Sequence, residues 1–254
     1  MLNLPRNPHS CAACSTALPI ETTLGRPVLG RSRSAEWCFG GVDRSPVKMS
    51  PFITLEGGDG AGKTTQTGLL VERLRMVGID VIQVREPGGT ALGEALRPLI
   101  KGEVDASPLA ELLLLETARA QLVEEVIAPA LQAGKTIVSD RFYDSTVAYQ
   151  GFGRGLDLQI IQDLNRIASA GISPDATILL DLEPSAALSR IGNGADQRSD
   201  PAGQQRFESQ PLEFHERLIE GYHSLAAEDP SRWFVIDASS SVDRVGEKIW
   251  AVVS

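Results

Sequence analysis

One stretch limits the fold of this chain more than any other. The β-forming run Phe52-Ile53-Thr54-Leu55-Glu56 opens straight into Gly57-Gly58-Asp59-Gly60-Ala61-Gly62-Lys63-Thr64-Thr65. The second stretch satisfies G-x-x-x-x-G-K-[ST], the phosphate loop. Its glycines let successive backbone N–H groups turn inward around phosphate oxygens, Lys63 reaches the β- and γ-phosphates, and the Thr64 hydroxyl meets Mg²⁺. A helix starting at the end of the loop adds its positive N-terminal end. Residues Gly57, Gly58, Asp59, Gly60, Ala61, Gly62, Lys63, Thr64 and Thr65 are therefore the candidate phosphate-binding set. The loop establishes nucleoside triphosphate binding and leaves the reaction open. A guanine-specific switch would want N-K-x-D, yet Asn3, Asn7, Asn165 and Asn193 each precede a residue other than lysine. That disfavours a GTPase.

Apolar β-rich runs at 52–56, 80–85, 136–140, 176–182 and 233–238 alternate with helical patterns at 63–77, 109–131, 158–170, 184–191, 207–227 and 242–252. Several strands are apolar on successive residues, as parallel strands covered on both faces are. Pro129 is expected to kink or end the second helix. Crossovers of this length predict a right-handed, doubly wound α/β fold: a five-stranded parallel sheet flanked by helices, with ligands outside the carboxyl ends of the strands.

Residues 1–48 read differently, with five prolines and no sustained apolar periodicity. Six basic residues against three acidic give this segment +3, which leaves −12 of the formal −9 to the rest. An Arg-rich, acid-poor N-terminus is compatible with a transit peptide, but it lacks an amphipathic helix and an apolar h-region. Met49 opens a natural-looking start, so 1–48 is read as a disordered extension or a misassigned start, and 49–254 as the domain. Cys11, Cys14 and Cys38 all fall in the first segment. Cys11-Ala-Ala-Cys14 has metal-site spacing but no second pair. A cysteine-free body suits a reducing cytosol, so a cytoplasmic location is expected. No apolar run is long enough to cross a bilayer. The negative net charge argues against a nucleic-acid partner, so a polyanionic substrate must be held by a few local cations.

The second substrate is written in two further segments. Arg85-Glu86-Pro87-Gly88-Gly89-Thr90 follows the second strand, and Asp140-Arg141-Phe142-Tyr143-Asp144-Ser145-Thr146-Val147-Ala148-Tyr149-Gln150-Gly151 follows the third. A strand-terminal Asp140 can hold a Mg-bound water, and Arg141 can fork onto a phosphate. Together with a later Arg206-Phe207-Glu208, these elements occur in the order and spacing of the bacterial thymidylate kinases. The chain resembles that family over essentially all of 50–254 and none of 1–48.

The resemblance implies a Mg²⁺-dependent transfer of the γ-phosphoryl group of ATP to dTMP, giving dTDP for dTTP synthesis, by a homodimer. It implies that Asp59 faces the sugar 3′-hydroxyl and that Arg141, with Arg85 or Arg97, holds the acceptor phosphate. Arg119 would meet the thymine carbonyl, with Ser145, Thr146 and Gln150 nearby. Tyr149 would lie against the deoxyribose and exclude a 2′-hydroxyl, and Glu86 and Asp140 would organise the metal with Thr64. Leu115 and Arg119, four apart on one helix face, form an apolar platform beside a guanidinium. The family usually has an aromatic residue where this chain has Leu115, and loss of ring stacking is worth roughly 1–3 kcal/mol by analogy with base–aromatic stacking. The polar segment 191–205 would be the lid, and Arg198, flanked by Arg190 and Arg206, the candidate catalytic cation alongside Lys63. Gln205 stands where the family has an aspartate. No general base is required, because the acceptor oxygen is already ionised at neutral pH. The alternatives are a related kinase for another nucleoside or nucleotide, and a P-loop module that binds ATP without transferring phosphate.

Overall fold

The computed structural model describes residues 52–192 and 205–254. The expectations for 1–48, for Arg198 and for nearly all of the 191–205 lid lie outside the described residues.

The chain runs β1 (Phe52–Glu56), α1 (Lys63–Met76), β2 (Val81–Arg85), α2 (Ala91–Pro98) and an irregular turn over Leu99–Glu103. It continues through α3 (Pro108–Leu122), a π-helical turn (Val123–Ile127), α4 (Ala128–Gln132), β3 (Thr136–Asp140), α5 (Tyr143–Thr146) and a second wide turn (Val147–Gly153). Then follow α6 (Leu158–Ala168), β4 (Ala176–Asp181), α7 (Pro184–Gly192), α8 (Gln205–Glu208), α9 (Leu212–Glu228), β5 (Trp233–Asp237) and α10 (Val242–Val253).

The five strands form one parallel sheet ordered β2-β3-β1-β4-β5. Burial follows that order. Every residue of β1 is buried, whereas the edge strands β2 and β5 expose Gln83 and Val235 at their middles. Successive residues of β1 therefore feed opposite faces. Ile53 and Leu55 pack with Leu70 and Leu74 of α1 and Ile249 of α10, while Phe52 packs with Leu122, Ile127 and Phe142 on the other side. A third cluster joins Tyr149 to Phe214, Leu218 and Tyr222 of α9. The chain leaves β1 towards one edge and β3 towards the other, so the carboxyl ends of these adjacent strands form the switch point where ligands bind.

Caps set several helix starts, as Ser107 does for α3 by accepting from Ala110 N, and Asp157 for α6 by accepting from Gln159 N. Pro129 interrupts the regular helix as expected: a π turn precedes it, Ala128 N–H pairing with Val123 C=O, and the proline stands in the first turn of the short α4. Two other local readings need correcting. The helix expected over 207–227 is two helices, broken at Pro211, whose extended ψ of 157° turns the chain before α9. The helices α2 and α5 were not anticipated. Among the described residues, no helix is long and apolar enough to cross a membrane.

Candidate active site

The site grows from the end of β1. Gly60 has φ +78°, and a Cβ there would stand 2.4 Å from the Ala187 carbonyl, so only glycine can make this bend. The bend delivers the chain to α1, whose first N–H groups have no side-chain cap. Lys63, the first residue of α1, is buried and donates to the Gly58 carbonyl at 2.7 Å. Burial first, then the charge of Arg141, lowers its ammonium to about 8. At the adjoining end of β3, the Asp140 carboxylate accepts from the Thr64 hydroxyl at 2.6 Å.

Arg141 follows immediately, with φ +72°, a left-handed conformation rare for a side chain of this size. Its N–H donates to Leu55 C=O and its carbonyl accepts from Ser139 Oγ, which hold the bend. The guanidinium donates to Asp59 at 2.6 Å, Tyr149 at 3.0 Å, Ser145 at 3.0 Å and the Gly57 carbonyl at 3.0 Å. Asp59 also accepts from the Tyr149 hydroxyl at 2.9 Å. Burial would raise the Asp59 carboxyl, but Arg141, Lys63 and that hydroxyl together hold it below the usual range. Beneath them Glu56, wholly buried, accepts from Phe142 N–H, Ser145 and Tyr222. Burial first, then Asp144, pushes its carboxyl up to about 7.

At the far end Arg119, also wholly buried, satisfies all its N–H groups with protein acceptors. Nε and Nη2 take Glu86, Nη1 takes Glu116 and Asn165 (both 2.8 Å), and Nη2 takes Thr146 at 2.7 Å. A base carbonyl reaching Arg119 therefore replaces a partner; of the two neutral ones, Asn165 and Thr146, Thr146 lines the cleft. Glu86 is turned onto Arg119, not onto Thr64 and Asp140. Gln150 donates through Nε2 to Glu111, leaving its Oε1 buried without a hydrogen-bond partner among the described residues.

These three regions line one open cleft. Of the expected residues, Asp59, Gly60, Gly62, Lys63, Thr64, Arg85, Glu86, Arg97, Leu115, Arg119, Asp140, Arg141, Ser145, Thr146, Tyr149 and Gln150 all line it. Gly57 and Gly58 take part through their carbonyls, Ala61 is in the core and Thr65 is exposed. The thymidylate kinase family model matches residues 55–249. The chain belongs to the thymidylate kinase family. It is 50% identical over 202 residues to a thymidylate kinase of Synechococcus sp. (strain JA-2-3B'a(2-13)), covering 80% of this chain and 93% of that one. Identity to a thymidylate kinase of Deinococcus radiodurans is 45% over 204 residues, 80% of this chain and 96% of the relative. Among solved structures, the thymidylate kinase from Ehrlichia chaffeensis superposes with a TM-score of 0.66 at 33% identity, covering 81% of this chain and all of that one.

Within this thymidylate kinase fold, two flanking arginines are already engaged. Arg190 donates to the Ala238 carbonyl at 3.0 Å, and Arg206 pairs with Glu111. Arg85 lies half-exposed against Glu94 at 2.9 Å, and Arg97 donates to the Pro87 carbonyl. The cleft residues Ile100, Lys101, Phe142 and Phe207 were not singled out for the site. Phe142 and Phe207 were findable, since they sit inside the Asp-Arg-Phe and Arg-Phe-Glu elements; the Phe207 ring meets Tyr149 edge-on at 5.2 Å.

Proposed function

We propose that this cleft transfers the γ-phosphoryl group of ATP to the 5′-phosphate of dTMP, giving dTDP and ADP, in the cytoplasm. One observation carries the reading: a phosphate loop and a separate phosphate-sized cation, Arg141, converge on a single cleft whose far end has the polarity of a pyrimidine pocket. The N-terminal amides of α1 and Lys63 receive the triphosphate. Arg141, with Arg85 and Arg97 close by, receives the acceptor phosphate, and Asp59 with Tyr149 faces the sugar. Leu115, Thr146, Gln150 and Arg119 surround the base. An acceptor phosphate oxygen attacks the γ-phosphorus, the bond to the β–γ bridging oxygen breaks, and ADP leaves with that electron pair. Catalysis is positioning and charge neutralisation, so no general base is needed.

The Thr64 hydroxyl and Asp140 carboxylate are two hard oxygen donors 2.6 Å apart beside Lys63. That small set fits Mg²⁺, which keeps waters and phosphate oxygens as its remaining ligands. When bound, the ion neutralises charge developing on the phosphates. A homodimer is part of the proposal: α3 exposes Leu109 and Leu113, and α6, which packs against α3, exposes Ile160 and Ile167.

The decisive measurement is a phosphotransferase screen with ATP across dTMP, dUMP, UMP, CMP, AMP and thymidine. Preference for dTMP is expected, and preference for a nucleoside would overturn the monophosphate reading. Lys63→Ala should abolish turnover; loss of ATP affinity alone, with turnover intact at saturation, would remove its transition-state role.

A further inference from the structure

Behind the cleft wall lies Glu111, a fully buried carboxylate on α3 that the phosphoryl transfer does not use. Its Oε1 accepts from Gln150 Nε2 at 2.9 Å, and its Oε2 is ion-paired with Arg206 Nε at 3.1 Å. Arg154 forks across both oxygens, at 3.4 and 3.3 Å. Arg206 is itself held by the Val104 and Ala106 carbonyls, and Arg154 lies over the ring of Phe207.

The consequence falls on Gln150. An amide has a donor end and an acceptor end, and turning it over exchanges them with little change of shape. A carboxylate between two guanidinium groups offers acceptors only, so the donor end of Gln150 must face Glu111. Its Oε1 is thereby fixed on the other side, where it is buried and unpartnered among the described residues, in a side chain that lines the cleft. A buried acceptor without a partner wants a donor. Thymine and uracil carry an N–H at ring position 3, whereas cytosine presents a lone pair there.

We propose that Glu111 is a specificity-determining positioning residue, which locks the Gln150 amide with its carbonyl towards the acceptor base. The site then takes pyrimidines with a ring N–H and refuses those with a ring lone pair. This rests on the reading of the cleft as the acceptor-nucleotide site. A carboxylate that served only as glue between α3, Arg154 and Arg206 would affect every acceptor alike.

Glu111→Gln in the full chain separates the two. The arginines retain the new side chain's oxygen, so its NH₂ faces Gln150 and turns that amide over. The ratio of kcat/KM for dTMP over dCMP should fall about 10- to 100-fold, the effect of one mispaired buried hydrogen bond. Both acceptors are measured on one preparation, so the folded fraction cancels. Gln150→Ala is the companion variant and should also lower the ratio. An unchanged ratio in Glu111→Gln, with a lowered one in Gln150→Ala, overturns the proposal and leaves the base reading standing. An unchanged ratio in Gln150→Ala overturns the base reading, and the proposal with it. If Glu111→Gln does not fold, Glu111→Asp keeps the charge but withdraws the oxygen from Gln150; its ratio should fall, and an unchanged one overturns the proposal.

Discussion

At the end of β1, Glu56 is surrounded by neutral donors, the Phe142 N–H and the Ser145 and Tyr222 hydroxyls, whereas neighbouring Asp144 is forked by Arg232 at 2.7 and 3.1 Å. The negative charge therefore favours Asp144 and the proton favours Glu56, whose carboxyl is raised to about 7 from 4.5. The folded protein holds this proton more tightly than the unfolded chain. The stability it contributes is full below pH 4.5 and is lost as pH rises through 7. The slope is up to about 1.4 kcal/mol per pH unit in that window. Denaturant unfolding at pH 5, 6 and 7 should show the wild-type chain losing stability that Glu56→Gln does not lose. Parallel slopes would mean that Glu56 is already ionised in the fold. Residues of this kind divide by how far their chemistry reaches. Lys63 and Thr64 were legible because their role depends on a fixed local spacing. Glu111 was not, because its partners Gln150 and Arg154 lie 39 and 43 residues away. In sequence it is one more charge before a leucine run.

Among the elements, α9 is pressed against the wide turn that carries Tyr149 and Gln150, and Gly221 is the point of closest approach. A Cβ there would stand 2.6 Å from Phe152 Cγ and 2.9 Å from its Cβ, atoms too near the backbone to swing aside. Helix propensity favours Gly221→Ala by about 1 kcal/mol. Overpacking disfavours it by about 1–3 kcal/mol. The clash should win, lowering the thermal midpoint and loosening the turn beneath the acceptor site. A raised midpoint would show that α9 can shift at no cost. The same contrast explains which elements were readable. The buried strands β1, β3 and β4 announce themselves by short β-forming runs with apolar neighbours, α6 and α10 by periodicity, and α1 by its place after the phosphate loop. The helix α2 contains Gly93 and Pro98, and α5 is a single turn of polar and aromatic residues, so packing rather than propensity forms them. Pro129 announced the interruption of its helix, but the π turn that accompanies it was not legible in sequence.

Across the whole molecule, a formal charge of −9 surrounds a cleft built for two polyanions. The net charge offers no long-range attraction, so on the proposed reading affinity would come from short-range contacts to Lys63, Arg141, the α1 amides and Mg²⁺. Such a site tolerates little distortion of the sheet ends, and a partner that braces α3 would protect it from one side. The exposed face supplies a reason for one. Leu109 and Leu113 lie one turn apart on α3, and α6, packed alongside, exposes Ile160 at 52% and Ile167 at 68%. Large aliphatic groups exposed on two packed helices offer apolar surface that a second copy could cover. The α3 helix also carries Leu115, Arg119 and Glu111, so a second copy seated there would stiffen the base pocket directly. Light scattering should return about twice the 27.2 kDa of the chain. The double variant Leu113→Glu/Ile167→Glu, altered only at exposed positions, should stay folded, turn monomeric and raise KM for dTMP more than KM for ATP. A wild-type monomer at micromolar concentration would overturn the assembly. A monomeric variant with unchanged KM for dTMP would keep the dimer and remove its influence on the base pocket.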